Sequence, residues 1–91
     1  MSNNKLLVID DEKDFVDSLK LGLESEGYEV IAASDGEDGL LKAKDIRPNL
    51  IICDLRMPNK DGFAVLKEIK QDAILRNTPF IMLTAVDEFE R

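Results

Sequence analysis

The apolar positions of this chain fall into two kinds of run. Leu6-Leu7-Val8-Ile9, Val30-Ile31-Ala32-Ala33, Leu50-Ile51-Ile52-Cys53 and Phe80-Ile81-Met82-Leu83 are short and unbroken. Such runs, with β-branched residues and polar or turn residues at their ends, predict strands buried on both faces, the kind found inside a parallel sheet. Between them the apolar residues are spaced as on helices. Residues 14–25 carry Phe15, Val16, Leu19 and Leu23 as one stripe, and Gly27 stands in the place of a helix C-cap. Ser34-Asp35-Gly36-Glu37 has the Ser-x-x-Glu form of a capping box, and the helix behind it carries Leu40, Leu41 and Ala43 and stops before Pro48. A third helix from about Gly62 shows Leu66, Ile69 and Ala73 on one side until Asn77-Thr78-Pro79 breaks it. The fourth strand runs on to Thr84, and residues 85–91 read as the first turns of another helix. The order βαβαβαβ predicts an α/β fold with a parallel sheet and right-handed crossovers.

Composition narrows this little and excludes more. At 91 residues, 44% hydrophobic, the chain is one domain near the small end of what buries an adequate core. A net charge of −7 argues against direct nucleic-acid binding, which rests on Lys and Arg meeting phosphates. No apolar run reaches membrane-spanning length, and residues 1–5 lack the apolar region of a signal peptide, so a cytoplasmic location is expected. The lone cysteine, Cys53, forms no internal disulfide and is read as filling space within its strand, with a redox role as the alternative. Histidine is absent, which removes His-based triads and most zinc sites.

The chemistry gathers at the strand ends. Asp10-Asp11 closes the first strand, Asp54 the third and Thr84 the fourth. In a parallel sheet these ends share one edge, the edge where open α/β sheets place ligands. An aspartate beside a turn is by default a loop-capping residue, an Asp-Asp pair a solvated helix start, and a strand-end Thr a matter of β-propensity. In this combination and order they point further. Three converging carboxylates repel unless a cation joins them. Oxygen ligands with room for water and a phosphate oxygen favour Mg²⁺ over Ca²⁺. That set suits phosphoryl transfer, with Asp54 attacking phosphorus to become an acyl phosphate and Thr84 hydrogen-bonding the phosphoryl oxygens.

At Val8-Ile9-Asp10-Asp11, Ile52-Cys53-Asp54-Leu55-Arg56-Met57-Pro58, Asp61-Gly62 and Met82-Leu83-Thr84-Ala85 the chain resembles the receiver domain of two-component response regulators. Ala33-Ser34-Asp35-Gly36-Glu37 is similar to the family's turn into its second helix. The resemblance covers the whole chain, residues 1–91, as a single receiver domain. It implies a doubly wound, flavodoxin-like sheet of order 2-1-3-4-5, an order carried over from the family's chemotaxis member and not read from this sequence. It also implies Asp54 as phosphoacceptor from a histidine kinase, a phosphotransfer protein or a small acyl phosphate. Asp11, Asp54 and the backbone carbonyl of Arg56 would hold Mg²⁺ directly, Asp10 mainly through water, and Thr84 would be the switch hydroxyl. Met57-Pro58 and Asp61-Gly62 would shape the loop of residues 56–61, with Asp61 capping the third helix.

The family continues with another helix, a fifth strand ending in lysine and a fifth helix, so the domain is expected to be incomplete at its C-terminus. No residue matches that lysine. Lys60 and Lys5 are the nearest candidates, and both are read as solvent-facing charges. An apolar fourth strand at a sheet edge predicts self-association through that edge. The alternative function is therefore a phosphorylation-independent interaction or oligomerisation module. An aspartyl phosphatase of the haloacid dehalogenase type wants Asp-x-Asp, which Asp10-Asp11-Glu12 does not supply. A Ca²⁺ loop over residues 10–17 lacks the required glycine. The domain is thus expected to be a signalling switch with at most weak self-phosphorylation and self-dephosphorylation.

Overall fold

The computed structural model describes residues 4–83. Four strands and three helices alternate: β1 (Lys5–Ile9), α1 (Lys13–Ser25), β2 (Glu29–Ala33), α2 (Gly36–Ile46), β3 (Leu50–Asp54), α3 (Gly62–Gln71) and β4 (Phe80–Leu83). All pairings are parallel and the sheet order is β2-β1-β3-β4. The chain thus builds outwards in both directions from β1 and β3, the point where a doubly wound sheet opens a crevice at its carboxyl edge.

Each face of the sheet has its own core. Leu7, Ile9, Ile51 and Cys53 point to the face covered by α2 and α3, where they meet Leu40, Val65 and Ile69. Leu6, Val8 and Val30 point to the other face and meet Val16 of α1. Strand alternation explains the division, since successive side chains of one strand go to opposite faces. β1 lies between two neighbours and is buried from Leu6 to Ile9. β4 lies at one edge of the described sheet, and its Ile81 is 47% exposed. No described helix is long and apolar enough to cross a membrane.

Helix phase departs from the expected stripes. In α1 Val16 is buried and Leu19 and Leu23 pack partly against the same core, as expected, while Phe15 is 39% exposed. In α2 Leu40 and Ala43 face the sheet while Leu41 is 69% exposed, because adjacent helical residues lie about 100° apart and one apolar stripe cannot hold both leucines. In α3 the buried pair is Val65 and Ile69, an i,i+4 pair, and not the Leu66, Ile69 and Ala73 row. α3 also stops at Gln71, before Asn77. The carboxylate of Asp72 accepts the amides of Ile74 and Leu75 at 2.8 and 3.0 Å, and this local turn competes successfully with further helix. Leu75, carried by that turn, is fully in the core.

The helix ends have chemical causes. After α1, the Tyr28 amide bonds the Leu23 carbonyl and Gly27, at φ 98°, bonds that of Glu24, which is the Schellman arrangement that Gly27 permits. α2 is capped by Asp35, whose carboxylate accepts the Asp38 amide at 2.8 Å, and not by Ser34. β2 holds its pairing to the end, with the Ala33 carbonyl accepting the Asp10 amide, so Ser34 is still leaving the strand and the open amides begin one residue later. A carboxylate there also meets the positive end of the helix dipole.

Candidate phosphoacceptor and metal site

The register of β1 on β3 pairs Ile9 with Cys53, so the next residues, Asp10 and Asp54, leave adjacent strands at the same height. Asp11 follows Asp10 into the β1–α1 loop. Asp10, Asp11 and Asp54 each bring one carboxylate oxygen into a group whose members all lie within 4.8 Å of one another. Asp10 is 8% exposed, Asp54 is half-buried and Asp11 is exposed. One oxygen of Asp10 accepts the Glu12 amide at 2.9 Å, which ties the start of α1 to the strand end.

The electrostatics are those of a crowded acidic site. Burial raises the pKa of Asp10 above the usual carboxylate value, the Glu12 amide partly offsets this, and the charge of Asp11 adds to the rise. Burial likewise raises Asp54, followed by repulsion from Asp10 and, more weakly, from Asp11, while the Arg56 amide works in the opposite direction. A divalent cation among these oxygens would relieve both effects. The donors are hard oxygens and carry three formal negative charges when ionised, which fits Mg²⁺ with water completing its shell. Cys53, directly before Asp54, is fully buried, and burial above all pushes its thiol up to about 12. It stays protonated at neutral pH and packs as a small apolar group, as its place in the run predicts.

The loop after β3 supplies the rest of the site. Arg56 is exposed, and its amide lies 3.4 Å from Asp54 Oδ1. Met57 turns into the core and pins the loop from below. Asp61 caps α3 as expected, accepting the Ala64 amide at 2.9 Å. Gly62 closes the loop, its amide bonding the Leu55 carbonyl at 2.8 Å. A Cβ at Gly62 would fall 2.7 Å from the Asp54 carbonyl oxygen and 2.5 Å from Met82 Sδ, so no other residue fits without displacing the end of β3. Two open hollows border the edge. One, about 350 Å³, is lined by Asp10, Asp11, Lys13, Asp17, Asp38 and Lys42 among others. The other, about 640 Å³, runs along Leu55, Arg56, Met57, Pro58, Asp61 and Phe63.

Of the residues singled out from sequence, the structure brings together Asp10, Asp11 and Asp54, with Arg56 next to them. Thr84 lies outside the described residues, as do residues 85–91. Lys60 departs from its expected role as a solvent-facing charge. Its side chain is 20% exposed and bridges Glu68 of α3 and Glu37 of α2. No local signal marks this arrangement, because the two carboxylates reach Lys60 only after α2 and α3 have packed side by side. Lys5 joins the sheet, and its amide bonds the Asn49 side chain at 2.7 Å.

A parallel α/β sheet with three aspartates at its switch point places an acidic cluster where such folds bind ligands, and comparison with known proteins narrows the class. The model of the response regulator receiver domain matches residues 6–91. The chain is 46% identical over 86 residues to the alkaline phosphatase synthesis transcriptional regulatory protein PhoP of Bacillus subtilis, covering 94% of this chain and 35% of that protein. It is 36% identical to the DNA-binding dual master transcriptional regulator RpaA of Synechocystis, again covering 94% of this chain and 36% of the relative. Among solved structures, the N-terminal domain of a response regulator receiver protein from Methanoculleus marisnigri superimposes with a TM-score of 0.88 at 38% identity, covering 92% of this chain and 68% of that one. The receiver domain of a Francisella response regulator gives 0.85 at 35% identity, covering 97% and 71%. The chain belongs to the response regulator receiver domain family. It spans about a third of the length of the curated relatives it matches. As a family, these domains are signalling modules of two-component systems and interact with histidine kinases or phosphotransfer partners.

Proposed function

We propose that this receiver domain is a phosphorylation switch that accepts a phosphoryl group on Asp54. The observation that carries the reading is the convergence of one oxygen each from Asp10, Asp11 and Asp54 at the carboxyl edge of the sheet. Asp11, Asp54 and the Arg56 carbonyl would hold Mg²⁺ directly and Asp10 through water. When bound, the ion supplies neutralisation of the charge that builds on the phosphoryl oxygens. The remaining work falls to the chain. Asp10 orients the start of α1, the Arg56 amide steadies an oxygen of Asp54, and Gly62 holds the strand end in place. An ionised Asp54 oxygen attacks phosphorus in line with the departing group. A P–O bond forms to Asp54, and the P–N bond of a phosphohistidine or the P–O bond of a small acyl phosphate breaks. Imidazole or carboxylate leaves with the electron pair. The Thr84 hydroxyl then follows the new charge, and the population of surfaces shifts.

The donor is proposed to be a sensor histidine kinase or phosphotransfer protein. The relatives named above are transcriptional regulators, so the output is proposed to reach transcription without this acidic domain touching nucleic acid itself. A cytoplasmic site of action follows from the same reading. The test is intact mass after incubation with acetyl phosphate and Mg²⁺, with Asp54→Asn as control. A phosphoryl adduct in the wild type alone supports the reading. A folded wild type that gains none overturns it.

A second reading has its own observation. β4 lies at one edge of the described sheet with Ile81 well exposed, which is a template for strand pairing. The 91-residue chain is proposed to self-associate through this edge, and in the alternative function this association, independent of phosphorylation, is the activity. A monomeric mass by light scattering across micromolar concentrations would remove it.

A further inference from the structure

Lys60, in the loop between β3 and α3, ties that loop to two helices. Lys60 Nζ pairs with the Glu68 carboxylate of α3 and lies 3.6 Å from Glu37 Oε2 on α2. Exposed ion pairs contribute little, and the Lys13–Asp17 pair, with side chains 83% and 57% exposed, is of that kind. Lys60 differs in that its own side chain is 20% exposed and is shared by two carboxylates from two helices, Glu68 at 42% and Glu37 at 73% exposure. Its backbone is held as well. The Lys60 amide bonds the Pro58 carbonyl at 2.8 Å across Asn59, which sits at φ 73°. A three-residue turn with a left-handed, non-glycine centre is strained and persists only where its surroundings over-determine it. The surroundings are visible. The Lys60 carbonyl packs against Gly36, where a Cβ would fall 2.9 Å from that oxygen and 2.9 Å from Val65 Cγ2.

The other end of this loop meets the acidic site, with the Arg56 amide 3.4 Å from Asp54 Oδ1. A loop clamped at Lys60 and closed at Gly62 has little freedom left at Arg56. We propose that Lys60 is a positioning residue, which bridges α2 and α3 so that the β3–α3 loop presents the Arg56 carbonyl to the metal beside Asp54. The inference rests on the Mg²⁺ site proposed above. The loop motif points to Met57-Pro58 and Asp61-Gly62 and leaves position 60 without a role. The packing of α2 on α3 supplies one.

The experiment is calorimetric titration of MgCl₂ into wild type, Lys60→Met, Lys60→Arg and Glu68→Gln, each shown to be folded by circular dichroism. Amide exchange at Gly62 is followed by NMR without metal. Lys60→Met is expected to weaken Mg²⁺ binding about tenfold, the low end of the loss when support behind a ligand is removed. It should also speed Gly62 exchange. Lys60→Arg should restore both, and Glu68→Gln should fall between. Should Lys60→Met not fold, Glu68→Gln is judged by the same standard. An unchanged Mg²⁺ affinity in a folded variant, with wild type binding normally, overturns the role of Lys60 and leaves the metal site standing. A wild type that binds no Mg²⁺ overturns both the site and the inference.

Discussion

Asp10 and Asp54 stand side by side because Ile9 is the register partner of Cys53 in two adjacent parallel strands. Each carboxylate has an oxygen within 4.8 Å of one from the other and from Asp11. Backbone pairing, which knows nothing of charge, thus forces like charges together where the sheet opens. Burial raises the pKa of both residues, with repulsion from Asp11 adding to it at Asp10 and repulsion from Asp10 and Asp11 adding to it at Asp54. The site is paid for in stability, and its chemistry follows from the same conflict.

The first prediction concerns pH. A carboxylate whose pKa is raised in the folded state holds its proton longer there than in the unfolded chain. Between the ordinary value and the raised one the native state binds more protons, so stability falls as pH rises. Above the raised value the full penalty remains. In metal-free buffer at neutral pH, Asp54→Asn is expected to stabilise the fold by about 1 kcal/mol, the scale of repulsion between solvated charges near 4 Å. The gain should vanish at pH values below the ordinary carboxylate pKa, where wild type is neutral at this position too. Urea unfolding at several pH values measures it. A stability difference that does not change with pH would count against charge as the cause.

Mg²⁺ should act in the opposite sense. A ligand bound only by the native state at ten times its Kd stabilises by about 1.4 kcal/mol. For a domain of this size that raises Tm by about 5–10 °C. Asp11→Ala removes a proposed direct ligand and should abolish most of the shift. Thermal melts with and without MgCl₂ check this, and K⁺ at equal ionic strength controls for screening.

Gly62→Ala tests the seat of the loop. Its Cβ would fall 2.7 Å from the Asp54 carbonyl oxygen and 2.9 Å from Leu55 Cα, both backbone atoms that do not swing aside. Overpacking of this kind costs about 1–3 kcal/mol. Mg²⁺ affinity and phosphorylation rate are expected to fall with it, because the displaced atoms belong to the proposed phosphoacceptor and its neighbour. A variant of wild-type stability would show that the strand end yields freely.

The caps give a fourth test. Asp61 and Asp35 each accept an amide of the helix they begin, at 2.9 and 2.8 Å. Replacement of either by Ala should cost about 1 kcal/mol. Ser34→Ala, by contrast, should be nearly silent, since the cap of α2 belongs to its neighbour. Denaturation midpoints separate the three variants, and a larger loss at Ser34 than at Asp35 would contradict the observed cap.

Much of this protein is legible in its sequence because the governing signals are local. Four unbroken apolar runs mark the strands, and three of them end in the acids or the threonine proposed to carry the chemistry. Any parallel arrangement brings such ends to one edge, so Asp10, Asp11 and Asp54 could be grouped without coordinates. The fold class and the packing role of Cys53 followed in the same way, whereas the N-cap at Asp61 came from the family resemblance. Helix phase was less legible. Leu41 and Leu66 are as apolar as Leu40 and Val65, and only the direction in which each helix lies against the sheet decides which is covered.

Tertiary structure alone decided what depends on two elements meeting. The cap of α2 shifted from Ser34 to Asp35 because β2 pairs as far as Ala33. α3 ended at Gln71 because Asp72 found amides ahead of it, and Leu75 then turned into the core. Lys60 reads as one more surface charge until α2 and α3 bring Glu37 and Glu68 to it from positions 23 residues before and 8 residues after. The strand-end acids needed only that their strands run parallel, because any parallel sheet brings the carboxyl ends of its strands to one edge. The clamp needed the relative placement of two helices, which no single stretch of sequence encodes.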